Sequence, residues 1–352
     1  MQVTTDAPLA ARTTLGLGGP ARRLARIETV GELTEALATV TDEPVLVLGG
    51  GSNLVVRDGG WPGLVLQLAI PGVTIREDDR EHALVSAFAG VVWDDLVAQM
   101  CLAKLAGLEC MSGIPGLVGA TPMQNVGAYG QEVADTVVRV RVLDRMTGEI
   151  EDFDRAACGF AYRTSVFKGS ERWIVVEVQF RLARSEDSAV IHYPELARAL
   201  GIAAGGRAPL AAVRDTVIAL RRGKGMVVDP ADPDSRSAGS FFMNPIVDPA
   251  ALAALEARLP AGTVPPKFAA PEGRTKLSAG WLIERAGFAK GFTPTSSSRV
   301  GISSKHALAL VNRGGASTAE LLALAREIQD GVRARLGIDL VPEPVIVGSE
   351  FR

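Results

Sequence analysis

Three side chains stand where a single group could do acid–base or electrostatic work. Ser240 lies in Ala238-Gly239-Ser240-Phe241-Phe242-Met243-Asn244-Pro245, between a glycine and two aromatics. A hydroxyl there is suited to giving a proton in a partly dehydrated pocket; an ordinary serine at the start of a strand has the same neighbours. Arg163 closes the run Phe160-Ala161-Tyr162-Arg163. Its planar fork matches a carboxylate, as an anion ligand or in a buried ion pair. Glu343 sits between Pro342 and Pro344. Two prolines remove two N–H donors and stiffen the chain, which fits a kinked strand end aiming one carboxylate; a solvated edge charge fits too. No Gly-x-Ser-x-Gly elbow surrounds a serine, so a hydrolase nucleophile is a poor fit.

Gly49, Gly50 and Gly51, followed by Ser52, Asn53 and Leu54, separate two short apolar runs. Consecutive glycines let backbone N–H groups turn inward and cradle an anion, and they equally make a plain turn. The dinucleotide fingerprint needs a third glycine opening a helix, and Leu54 occupies that place; the Lys-Ser/Thr pair of a P-loop is missing. Residues 107–132 hold six glycines and two prolines but little charge. So irregular and apolar a stretch must satisfy its backbone polar groups, by wrapping a ligand or by lying buried. Arg221, Arg222 and Lys224 end a helical pattern, which complements the helix dipole and would also suit a diphosphate.

The elements that must position these groups are legible from periodicity. Residues 21–27 read as a strand. Thr29 and Glu32 form a capping-box pattern ahead of an apolar stripe, and residues 44–48 read as the next strand. This β-α-β unit delivers the triple glycine at the C-terminal end of a strand, where open α/β sheets bind ligands. Strands are expected over 54–56, 64–68, 73–76, 83–89, 137–144, 173–182 and 340–347. Helices are expected over 93–106, 210–222 and 278–287, with a last one capped by Ser317 and Glu320 and stopped at Gly337.

Composition bounds the rest. The 352 residues allow two or three domains at about 100–200 residues each. A net charge of −3 argues against a nucleic-acid partner. Glycine, 38 residues, is about 11% of the chain against a usual ~7%, with no repeat, so tight turns and close approaches are many. Cys101, Cys110 and Cys158 give no disulfide framework and no zinc spacing; Met100 and Cys101 read as core residues. His82, His192 and His306 are too scattered for a metal. Without a leader pattern or a long apolar run, a cytoplasmic protein is expected.

The motifs, taken together, resemble one family. Residues 14–20, 48–55, 113–133, 162–167, 239–245, 276–283 and 342–348 are similar, in order and along the whole chain, to the UDP-N-acetylenolpyruvoylglucosamine reductases, also called UDP-N-acetylmuramate dehydrogenases. The resemblance implies an α+β fold. It has a two-part FAD-binding unit of the PCMH type, residues 1–68 joined by 338–352, then 69–205, and a third α+β substrate-binding domain, residues 206–337. It implies an enzyme that uses FAD and NADPH and reduces UDP-N-acetylglucosamine enolpyruvate to UDP-N-acetylmuramate; a monomer with no metal, nucleic-acid or membrane partner is expected beside it. Hydride would pass from flavin N5 to C3 and a proton from Ser240 to C2.

Carried over by motif, Arg163 and Glu343 would stabilise the enol intermediate, Glu343 only if it is protonated or shares a proton network. Gly49, Gly50, Gly51, Ser52, Asn53 and Leu54 would hold FAD. So would Gly113, Ile114, Pro115, Gly116, Gly119, Ala120, Gln124, Asn125, Gly127, Ala128 and Tyr129. Tyr162, Tyr193, Lys224, Asn244 and Lys276 would contact substrate. The chain differs from the family in carrying Thr164 where an acidic residue is usual, and in a longer loop between Lys224 and Ser240. Two other readings are a different FAD oxidoreductase of the same cofactor-binding architecture and a UDP-sugar carrier without chemistry. The colour of the purified protein separates the carrier from the enzymes, which are yellow.

Overall fold

A computed structural model describes residues 1–348, so the last four residues of the range 338–352 lie outside the described residues. Two compact units form. One comprises Met1–Ala7, Arg22–Gly50 and Pro62–Arg222; the other comprises Pro8–Ala21, Gly51–Trp61 and Gly223–Arg352. The first passage of the triple glycine, Gly50 to Gly51, is therefore a crossing between units.

In the first unit the expected β-α-β element is present. Pro20–Ile27 leads to helix α1 (Val30–Ala38), whose N-cap Thr29 accepts from the Glu32 N–H at 3.1 Å, while the Glu32 carboxylate reaches back to the Glu28 N–H. The next strand, Val45–Leu48, does not pair with Pro20–Ile27. Trp61–Leu68 inserts between them, giving the order Gln2–Pro8, Pro20–Ile27, Trp61–Leu68, Val45–Leu48. Val45–Leu48 runs parallel to Trp61–Leu68 with Val45 opposite Leu64. Leu33 and Ala36 of α1 bury against Ile27, Leu64 and Leu66.

A second sheet of this unit orders Ile150–Asp154, Val137–Asp144, Trp173–Arg184, His82–Phe88 and Val73–Glu77, all antiparallel. Helix α2 (Trp93–Leu102) buries Trp93, Leu96, Val97 and Met100. It ends before the expected residue 106. Lys104 takes a left-handed φ of 56°, and Leu105–Ala106 turns into a strand paired with Arg184 and Ala183. The sheet edge offers those backbone groups partners that a further helical turn would have to forgo. Helices α3 (Pro194–Leu200) and α4 (Leu210–Gly223) share a small core of Cys110, Ile191, Leu196, Val213 and Val217.

The second unit is built on Phe241, Phe242, Leu282, Ile283, Ile328 and Val332. Helices α5 (Pro249–Arg258), α6 (Ala279–Arg285) and α7 (Thr318–Leu336) surround them. The expected capping box of α7 is complete, and Gly337 ends it at φ 71°. Asp58 also accepts from the N–H groups of Thr318 and Ala319, at 2.7 and 3.0 Å. The Thr318 hydroxyl donates to the Val56 carbonyl at 2.6 Å, so this helix start is tied to the strand Leu54–Val56. That strand pairs in parallel with Val345–Val347. The final strand is shorter than the expected 340–347, because Pro342 and Pro344 have no N–H to give a ladder.

Asp144 ends its strand buried, its Oδ2 accepts from Arg172 Nη2 and Nε at 2.7 and 3.0 Å, and its Oδ1 accepts the Met146 N–H. The Arg172 bonds hold its carboxyl below the ordinary value against the opposing effect of burial. A depressed carboxyl stabilises the fold above its unfolded pKa of about 3.9 and loses that contribution as pH falls through the folded value. Asp144→Asn is therefore expected to lower the melting temperature by a constant amount between pH 5 and 8. The gap to wild type should narrow below pH ~4; a gap independent of pH down to 2 refutes the assignment.

Candidate active site

In the first unit Gly50 backs directly onto Gly116. A Cβ on Gly50 would lie 2.8 Å from the Gly116 Cα and 3.3 Å from its carbonyl carbon, and one on Gly49 would touch the Ala120 Cβ at 3.7 Å. The end of the strand Val45–Leu48 and the 113–129 segment thus meet backbone to backbone, though 60-odd positions separate them in the chain. Part of the backbone accounting for that segment is closed inside the protein. Gly116 O accepts from Trp93 N, Val118 N donates to Val91 O, and Gly119 N donates to Ala89 O at 3.1 Å. Gly113 N donates to Asp94 Oδ1 at 2.6 Å.

Asp94 in turn takes both ends of the Arg214 guanidinium, at 2.7 and 2.9 Å. Burial alone would raise the Asp94 carboxyl; the Arg214 fork and the Gly113 N–H outweigh it and hold it below the ordinary value. Sequence reasoning passed over this pair. Its signal was an acidic residue in the first turn of α2, where a carboxylate suits the helix dipole without any further role.

The segment divides into a half-exposed strip and a buried underside. Ile114, Pro115, Gly116, Gln124, Gly127, Ala128 and Tyr129 are half-buried and Ala120 is exposed, whereas Gly113, Gly119 and Asn125 are buried. Asn125 is a brace: its amide donates to Glu132 and to the Ala161 carbonyl, and its oxygen accepts from Ala134 N. Asn125, Tyr129 and Arg163 all take left-handed backbone conformations, with φ of 46°, 49° and 53°. Each such residue costs on the order of 1 kcal/mol or more and persists only where its surroundings enforce it, a pattern that clusters at ligand sites.

Arg163 occupies a tight turn. Ala161 and Thr164 exchange both backbone hydrogen bonds, at 3.1 and 3.2 Å. Arg163 Nη2 donates to the Gly127 carbonyl at 2.9 Å, its guanidinium lies 5.7 Å from the Tyr162 ring centre, and its own carbonyl accepts from Lys168 Nζ at 2.8 Å. Ser165 donates to the Met123 carbonyl. Tyr129 and Tyr193 meet edge to face at 5.4 Å, and Tyr193 is 41% exposed at the start of α3. Burial pushes the Tyr129 hydroxyl up to about 12, so it stays a neutral donor at physiological pH. The Arg221 guanidinium is pushed down by burial, opposed by Tyr129 and Asp94.

In the second unit, Gly51 continues the same glycine run. Its φ is 63°, a Cβ would collide with the Arg12 carbonyl oxygen, and its own carbonyl accepts from Thr14 N, so the 14–20 segment lies against it. Asn53 O accepts from Val345 N at 3.0 Å, and Asn53 Nδ2 lies 3.4 Å from the Glu343 carbonyl. Glu343 N donates to Phe241 O at 2.9 Å, Met243 N to Val341 O, and Phe242 bridges Pro342. Half-buried Ser240 and Glu343 therefore sit on two adjacent, antiparallel stretches of backbone. Phe241 and Phe242, both fully buried and stacked edge to face at 5.2 Å, anchor them. Ser52, Leu54 and Lys224 are half-buried.

Asn244 and Lys276 lie nearby in the fold. Asn244 Oδ1 accepts the Ala279 N–H that opens α6, and Lys276 pairs with Ile246, its ammonium 5.9 Å from the Phe268 ring centre.

The cysteines take no part. Burial raises the thiols of Cys101 and Cys158, to about 11 and 12, and raises Cys110 further still, which leaves them protonated and inert. Among the described residues no group of His, Cys, Asp and Glu could hold a metal, and no helix is long and apolar enough to cross a membrane.

Comparison with known proteins was decisive. Residues 230–347 match the C-terminal domain model of UDP-N-acetylenolpyruvoylglucosamine reductase, and residues 21–154 match an FAD binding domain. The chain is 53% identical to the UDP-N-acetylenolpyruvoylglucosamine reductase of Thermobifida fusca over 97% of both chains. It is 49% identical to that of a Mycobacterium species over 99% of this chain and 97% of the other. The chain belongs to the UDP-N-acetylenolpyruvoylglucosamine reductase family. A crystal structure of the Thermus caldophilus reductase superposes with a TM-score of 0.65 at 27% identity, covering 98% of each chain. The family assignment makes this an FAD-dependent oxidoreductase of peptidoglycan synthesis, with the expected α+β FAD-binding and C-terminal domains.

The residues present fit FAD. FAD needs backbone that can approach its rings closely and turn N–H groups toward its diphosphate, and the glycines at the Gly50–Gly116 contact, with the half-exposed strip beside it, suit that approach. Gly50→Val is expected to yield folded but colourless protein, since the branched side chain must displace the Gly116 backbone. Full flavin absorbance near 450 nm per protein chain, with unchanged circular dichroism, would refute the cradle.

Proposed function

We propose that this reductase converts UDP-N-acetylglucosamine enolpyruvate to UDP-N-acetylmuramate with NADPH, as a cytoplasmic monomer. In this reading residues 1–68 with 338–352 and 69–205 hold FAD, and residues 206–337 take substrate. When bound, FAD supplies the two-electron relay, accepting hydride from NADPH and passing it from N5 to C3 of the enolpyruvyl group.

What this chain adds is charge placement and a proton. Hydride addition forms the C3–H bond and leaves the displaced electron pair spread over C2 and the carboxylate. A preorganised guanidinium is worth most where charge develops, which assigns that task to Arg163. Its left-handed turn and its bond to Gly127 hold it in place before substrate arrives. Ser240 gives its proton to C2, a centre basic enough to accept from a hydroxyl; reach counts before pKa. Glu343 completes the set by donating from a protonated carboxyl or through a proton network. Gly49–Leu54 and the 113–129 strip hold the cofactor, while Tyr162, Tyr193, Lys224, Asn244 and Lys276 contact substrate.

The observation that carries this reading is the backbone pairing of the Ser240-Phe241-Phe242 and Val341-Pro342-Glu343 stretches. It gives the hydroxyl and the carboxylate fixed positions relative to each other on a rigid, aromatic-anchored base. Ser240→Ala should leave flavin reduction by NADPH unchanged and slow the subsequent reaction with the enolpyruvyl substrate by ~10²–10⁴-fold. Stopped-flow absorbance separates the two half-reactions; equal slowing of both rejects Ser240 as the proton donor.

A further inference from the structure

Lys168 bonds the main chain of Arg163, whereas Gly127 accepts from the Arg163 side chain, and Lys168 has no place in the roles assigned so far. Its ammonium donates to the Arg163 carbonyl at 2.8 Å, five residues back along the chain. Its own backbone is fixed. Phe167 is fully buried, stacks on Phe153 at 5.3 Å, and donates its N–H to the Ser165 hydroxyl; Lys168 N donates to Ser165 O.

The carbonyl that Lys168 holds belongs to the residue with φ 53°, and the peptide plane that follows it sets where the Arg163 Cα–Cβ bond points. The Thr164 N–H, which belongs to the same peptide unit as the Arg163 carbonyl, donates to Ala161 O at 3.2 Å, so backbone holds that peptide at its N–H end and leaves its carbonyl end to a side chain. The other contacts grip elsewhere: Asn125 holds the Ala161 carbonyl, and Ser165 holds Met123. The Lys168 ammonium grips the carbonyl end of the peptide whose N–H end the Ala161 carbonyl holds. A lysine is well suited: three rotatable donors on a long stem reach a carbonyl that backbone cannot.

We propose that Lys168 is a positioning residue for Arg163, locking the left-handed turn so that the guanidinium is preset for the carboxylate of the substrate. The inference rests on the assignment of Arg163 as the group that stabilises the enol intermediate. Misplacing a preorganised group by about an ångström costs up to ~10²-fold in rate, with little effect on ground-state binding made elsewhere.

The test compares full-length holoenzymes carrying Lys168→Met, Lys168→Arg, Arg163→Met and the double substitution K168M/R163M. Four quantities are measured: FAD per chain, flavin reduction by NADPH, reaction of the reduced enzyme with UDP-N-acetylglucosamine enolpyruvate, and equilibrium binding of that substrate to oxidised enzyme. Lys168→Met should keep FAD, keep the first half-reaction within about twofold, and bind substrate within about threefold. It should slow the second half-reaction by ~10–10²-fold, by the same geometric argument. Lys168→Arg should recover most of the loss, and the double variant should be no slower than Arg163→Met alone.

A second half-reaction within twofold of wild type in Lys168→Met, or losses that multiply in the double variant, overturns the proposal. Should Lys168→Met lose flavin or fold, Lys168→Gln takes its place. Its shorter amide is expected to slow the second half-reaction alone by ~3–10-fold, and equal effects on both half-reactions, or none, overturn the proposal. A wild-type second half-reaction in Arg163→Met would instead refute the role of Arg163, a result distinct from failure at Lys168.

Discussion

The arrangement of this reductase depends on one close approach, the Gly50 backbone lying against the Gly116 backbone with no room for a Cβ between them. Such contacts are rare because any other residue pair at that spacing would force two main chains apart. Its consequence is a continuous surface of peptide groups made from two distant segments. Peptide groups suit a cofactor that must be recognised along its length, because they are neutral, stiff and cannot rotate away. The Asp94–Arg214 pair extends the same logic one layer down. A carboxylate that holds the Gly113 N–H is itself held by a fork from α4, so the turn that opens the 113–129 segment is tied to two helices.

A similar economy operates in the second unit. Its catalytic candidates are carried by short stretches that are not formal strands, and their order comes from what they pair with. The Ser240 stretch pairs with the Glu343 stretch, and the residues after it continue alongside Asn53. Pro342 and Pro344 explain why this is a pairing of isolated bonds rather than a longer sheet. Each proline deletes a ladder donor, so the strand begins only at Val345, and Glu343 is left between two stiffened positions. Rigidity therefore comes from the buried aromatic pair Phe241 and Phe242, not from extended hydrogen bonding.

Local elements were legible wherever side-chain periodicity and capping chemistry decide the outcome. The Thr29 cap, the Ser317–Glu320 box and the Gly337 stop all stand where those residue types place them. Where the outcome depends on a partner far along the chain, periodicity was silent. The apolar pattern of 93–106 fits one helix, yet Leu105 and Ala106 leave it for a sheet edge near Arg184. Trp61–Leu68 enters between two strands that look adjacent in sequence. The residues of the site were readable through motif resemblance more than through chemistry, because Ser240, Arg163 and Glu343 each have a bland local explanation. Lys168 had no local signal and Asp94 only that of a helix-dipole carboxylate: each holds a backbone group, and a backbone partner leaves no trace in residue type.

The net charge of −3 and the anionic substrate proposed here pull in opposite directions, and cations withdrawn from water are the physical means of reconciling them. Charges on the outer surface act over about a Debye length, ~8–10 Å in physiological salt, and average out. A guanidinium withdrawn from water acts at a much lower effective dielectric, so a few placed cations outweigh a slightly acidic exterior. Arg221 shows the cost of this arrangement, since burial pushes its pKa down, with Tyr129 and Asp94 opposing the change. Arginine begins so high that it tolerates such a shift far better than a lysine, which similarly buried would be driven toward neutrality. The same reasoning bears on the role proposed for Arg163, which is held in a left-handed turn. The strain is of the order of 1 kcal/mol, whereas in the role proposed for Arg163 a preset charge would face a developing enolate and remove reorganisation otherwise needed in every turnover.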